Sequence, residues 1–118
     1  MTDSKFQIGP DYYGYIYHET DVKADNNAKV YKCRRGLQEG NGNRLFLFQK
    51  ASRKWMAVEA PDNCPDPVKD GVKAFKTESR HDDITIEGRY KWQYFDKGAP
   101  KGQRWSGLKR PFEHKLVN

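Results

Sequence analysis

Arg44-Leu45-Phe46-Leu47-Phe48-Gln49-Lys50, the connection Ala51-Ser52-Arg53-Lys54, and Trp55-Met56-Ala57-Val58-Glu59 form the stretch on which the fold turns. Successive strand side chains point to opposite faces, so Leu45 and Leu47 lie on one side of the first arm and Phe46 and Phe48 on the other. With both series apolar, that arm belongs in the middle of a sheet and is covered on both faces. Four polar or small residues suffice to return the chain antiparallel, and Trp55 opens the second arm near the end of the first.

Outward from this hairpin, the pattern stays one of short strands. Residues 11–18 alternate Tyr13, Tyr15 and Tyr17 against Tyr12, Gly14, Ile16 and His18, with Gly14 suggesting a bulge or a close approach. Residues 21–27 carry Asx turn chemistry, without the ligand spacing of a calcium loop. Residues 28–34 form a basic strand. Residues 36–43 hold three glycines but no following Lys-Ser/Thr, so they read as a loop and not as a phosphate cradle.

Prolines and aspartates make residues 60–71 a rigid surface connection. Residues 72–76 and 84–87 read as half-buried strands, with residues 77–83 a polar link between them. Residues 90–96 set Tyr90, Trp92 and Tyr94 on one face and Phe95 on the other. Pro100, Gly102, Gly107 and Pro111 make residues 99–118 an irregular C-terminal arm pinned by Trp105 and Phe112. No window has capped helical periodicity over ten residues. The expectation is a single all-β domain over residues 1–118, a small antiparallel sandwich or partly open barrel of six to seven short strands.

Its core must be aromatic. Leu, Ile, Val and Phe make up only 21 of the 118 residues, a level at which high net charge suggests disorder. Seven Tyr, six Phe and three Trp replace the missing area, since each ring buries on the order of 150–250 Å². The succession Val30-Tyr31, Arg44 to Phe48, Trp55 and Trp92-Gln93-Tyr94-Phe95 resembles small aromatic-rich β-modules of some animal and protist proteins, over roughly residues 12–105. That resemblance implies at most a non-catalytic module and carries over no functional residue.

Residues 1–10 hold no long apolar run, so the sequence shows neither a signal peptide nor a membrane span. The chain reads as cytosolic or nuclear if complete, or secreted if a leader was removed. Cys33 in a strand and Cys64 in the Pro-rich loop are either separate thiols or one bridge. His18, His81 and His114 are scattered, and His81-Asp82-Asp83 is the only local cluster with ligand types. The expectation is therefore no catalytic set, no metal and no cofactor.

Charge is more informative. The net charge is +6, and the basic residues are segregated: residues 29–54 hold eight basic and one acidic side chain, and residues 89–118 hold eight and two. Residues 1–28 and 55–88 are net acidic. If the strands of the two basic blocks are neighbours, they build one positive face suited to a polyanion. Rings beside cations, as at Tyr31-Lys32, Lys54-Trp55, Lys91-Trp92 and Arg104-Trp105, offer stacking as well. The expected contacts are Lys32, Arg34, Arg35, Lys91, Arg104 and Trp105, with nucleic acid or an acidic glycan as partner. The competing expectation is a protein-interaction or structural module whose cations only solvate it. Trp105 either folds back onto the core or points outward to stack.

Overall fold

In a computed structural model the hairpin forms as its alternation requires: β4 (Asn43–Gln49) and β5 (Trp55–Pro61) pair antiparallel, with Phe46 opposite Val58 and Gln49 opposite Trp55. All four apolar residues of β4 are buried, Leu45 and Leu47 on one face and Phe46 and Phe48 on the other. The structure describes residues 5–8, 16–24, 26–33, 42–82, 88–107 and 112–116.

The remaining strands are β1 (Lys5–Ile8), β2 (Ile16–Lys23), β3 (Lys29–Cys33), β6 (Val72–Thr77), β7 (Gly88–Tyr90), β8 (Trp92–Phe95), β9 (Trp105–Gly107) and β10 (Phe112–Leu116). They form a single antiparallel sheet in the order β7-β10-β1-β2-β3-β4-β5-β6-β8-β9. Only Lys91 separates β7 from β8, and Trp92 of β8 bonds His114 of β10, so the sheet curls back on itself. No ladder joins β7 to β8, and the antiparallel sheet does not close into a barrel.

Among the described residues ten segments pair, where six or seven short strands were expected, and two regions account for most of the difference. Residues 5–8, expected as a polar lead, are a strand between β2 and β10. Residues 99–118, expected as an irregular arm, supply β9 against β8 and β10 against β7 and β1. Strand β2 also runs on to Lys23, through part of the expected turn, before Asn27 reverses the chain with φ 62°. Residues 11–15, the glycine loop from 36 to 41 and the expected strand at 84–87 lie outside the described residues.

The inner face of the roll holds Tyr17, Tyr31, Leu45, Leu47, Trp55 and Trp92 among others. Its polar atoms are paired. Trp92 Nε1 donates to His114 Nε2 at 3.1 Å, Trp55 Nε1 donates to the His81 carbonyl at 2.8 Å, and Thr77 Oγ1 accepts from the Trp55 amide at 3.0 Å. Tyr90 lies against both His114 and His81, with ring centroids 4.1 and 4.8 Å apart.

The outer face of β3 to β5 carries a second cluster of Val30, Phe46, Phe48, Met56, Val58 and Ala60, packed by Cys64 and Val68 from the connection after β5. That connection contains a one-turn helix, α1 (Pro67–Asp70), with Pro67 in its first turn and Asp66 accepting from the Lys69 amide at 3.2 Å. Gly71 ends it. A Cβ there would lie 2.5 Å from both the Pro67 oxygen and Val58 Cγ2, so glycine is what lets α1 sit against β5. Cys33 lies with the inner cluster and Cys64 with the outer one, and no disulfide joins them. No helix among the described residues is long and apolar enough to cross a membrane.

Candidate functional site

A β-bulge in β6 builds a cationic part of the outer surface. Lys73 pairs with Val58 and Lys76 with Met56, while Ala57 pairs with Phe75, so one residue, Ala74, is extra on β6. In a regular strand, residues 73 and 76 point to opposite faces because their separation is odd. The extra residue restores them to one side. Ala74 and Phe75 then pack on the inner cluster, and both lysines stand outside.

The β4–β5 connection adds two more cations. Lys50 and Lys54 close the hairpin through the Lys50 amide and the Lys54 carbonyl at 2.9 Å. Arg53 holds the turn in a left-handed conformation, φ 69°, and its guanidinium pairs with Asp82. Lys76 feels the result: desolvation first, then the charges of Lys54, Lys50 and Lys73, hold its ammonium below the ordinary lysine value. Among the described residues none of these four lysines forms an ion pair.

Rings border the same patch. Trp105 is half-buried on the outer cluster, crossed edge-on by Phe95 with centroids 5.0 Å apart. Lys76 Nζ stands 4.4 Å from the Trp105 centroid, and Lys73 Nζ 5.7 Å from that of Phe95. Trp105 thus packs and remains partly open.

The sequence-derived residues are dispersed. Lys32 pairs with Asp62, which also neighbours Arg44, and it stands over Phe46 at 5.9 Å. The hydrogen bond and charge of Lys32, with a smaller pull from Arg44, hold the Asp62 carboxyl below its ordinary value. Lys91 is exposed between β7 and β8, opposite in alternation to buried Trp92. Arg104 is exposed and its Nε donates to the Ala99 carbonyl at 3.3 Å. Arg34 and Arg35 lie outside the described residues.

The two basic blocks are not strand neighbours, because β5 and β6 separate β4 from β8, and β1 and β2 separate β3 from β10. What comes together instead is Lys50 and Lys54 of the first block, Trp105 beside Arg104 of the second, and Lys73 and Lys76 from a segment that is acidic overall. The sequence reading missed those last two. Their signal was the adjacent apolar pair Ala74-Phe75 inside an otherwise alternating strand, the mark of a bulge. Among the described residues no three His, Cys, Asp or Glu side chains converge as a metal site would need. Comparison of this chain with protein-family models, with curated proteins and with solved structures finds no match.

Proposed function

We propose that this chain is a non-catalytic binding module for an anionic partner, nucleic acid or an acidic glycan, engaged through the outer surface around β6. The observation that carries the reading is the group of Lys50, Lys54 and Lys73 whose charges act on Lys76, none of the four in an ion pair among the described residues, with Lys76 beside Trp105 and Lys73 beside Phe95. A row of phosphates, sulfates or carboxylates relieves that repulsion, and a half-open indole offers a stacking surface. Arg104 precedes Trp105 in the chain and adds an exposed cation there, with its Nε bonded to the Ala99 carbonyl. Lys32 contributes less to it, because Asp62 already neutralises its charge.

A protein-interaction module is the competing reading, and it draws on exposed Val72 and Tyr94, 44% and 40% accessible. Titration with a single-stranded oligonucleotide and with heparin over a salt series separates the two. Four lysines neutralising four phosphates give a slope of log K against log salt of roughly −3 on single strands. A salt-independent interaction, or none at low salt, contradicts the polyanion reading.

A further inference from the structure

Beside the lysine patch the outer face holds an open pocket of about 350 Å³ between the β4–β5 turn and α1. Its floor is Phe48, Met56, Val58 and Val68, and its rim is Lys50, Lys69 and Lys73. Among the described residues the lining contains no carboxylate. Its two amide side chains are engaged within the protein: Asn26 Nδ2 donates to the Gln49 carbonyl at 3.1 Å and Asn26 Oδ1 accepts from the Ala28 amide at 3.3 Å, while Gln49 Nε2 donates to the His81 carbonyl at 2.8 Å. What remains for a ligand is an apolar floor edged by three lysine side chains, of which Lys73 also reaches the Phe95 ring.

We infer that this pocket, apolar at the floor and ringed by Lys50, Lys69 and Lys73, binds a small anionic amphiphile, an alkyl chain ending in a carboxylate. A nucleobase presents donors and acceptors along one edge, and the charged groups of the rim among the described residues are all donors. A neutral apolar molecule fills the floor but leaves the cations unanswered. An alkyl carboxylate satisfies both, and the volume is at the small end of ligand sites, about 300–1,000 Å³. This goes beyond polyanion binding and does not depend on it, although Lys50 and Lys73 belong to both surfaces.

Calorimetric titration of the full chain with octanoate, decanoate and dodecanoate, each below the concentration at which it forms micelles, tests the inference. Binding tightens about fourfold per added methylene until the floor is covered, and alkylamines of equal length bind at least tenfold more weakly. Ala51 is an exposed turn residue lining the pocket, so Ala51→Trp fills the opening without changing charge. It weakens alkyl carboxylate binding more than tenfold, keeps the melting temperature and leaves the salt slope for oligonucleotides in place. Lys50→Gln with Lys73→Gln weakens binding at every chain length while the increment per methylene persists. No dependence on chain length, equal binding of alkylamines, indifference to Ala51→Trp, or binding to anionic phospholipid vesicles but not to monomeric carboxylates each overturns it.

Discussion

Trp92 Nε1 donates to His114 Nε2 at 3.1 Å inside the roll, joining β8 to β10 across the interruption at Lys91. An Nε2 that accepts carries no proton, so His114 sits in the neutral tautomer protonated at Nδ1. It is 1% exposed and lies against Tyr90. Replacing it by Ala leaves the Trp92 N–H without that acceptor and opens a cavity, at a combined cost of about 3 kcal/mol. His114→Gln, which restores an acceptor, recovers part of that loss. Equal stability of the two variants by urea denaturation contradicts the role given to this bond.

Thr77 is fully buried and spans two backbone groups, accepting from the Trp55 amide at 3.0 Å and donating to the Ser79 carbonyl at 2.8 Å. Thr77→Val keeps the shape and strands both groups, so it costs about 1–3 kcal/mol, whereas Thr77→Ser keeps the bonds and loses one methyl. The measurement is the urea midpoint at constant slope. A valine variant more stable than the serine variant contradicts the account.

Phe46 and Trp55 anchor the outer and inner clusters of the hairpin, 3% and 6% exposed. Truncating either to Ala costs about 3–5 kcal/mol, comparable to the whole stability of a small domain. Both variants are expected to melt far below the wild type, and wild-type melting of either shows that its cluster is peripheral.

The hairpin was legible because both its faces are apolar and its connection is short. Other parts were not. The strand β9 has three residues, and prolines and glycines surround it; pairing with β8 decides its conformation more than its own composition does. The four-residue β1 carries too short a pattern to separate from a polar lead, and it exists because β2 and β10 flank it. The candidate surface was partly legible through charge segregation and Trp105. Lys73 and Lys76 escaped because a strand read at strict period two sends them to opposite faces, and only pairing with β5 reveals the extra residue.

His81 gives a pH dependence. Burial holds its pKa below the ordinary 6.5, so the unfolded chain takes up a proton more readily than the folded one. Stability from this group is fully present above the unfolded value and is lost as pH falls through that value towards the lower folded one. Relative to His81→Asn, the wild type is expected to lose stability between about pH 7.5 and pH 5.5. Parallel curves for the two proteins contradict this.

The most direct measurement is the salt dependence of single-stranded oligonucleotide binding by the wild type and by the variant Lys73→Glu with Lys76→Glu. Both substitutions lie on the outer face, at an exposed and a half-buried position, and the variant's melting temperature is recorded alongside. The account predicts a slope near −3 for the wild type and no steeper than about −1.5 for the variant, with weaker binding at every salt concentration. The same slope and affinity in a folded variant, or a wild type that binds no oligonucleotide and no acidic glycan at low salt, contradicts it.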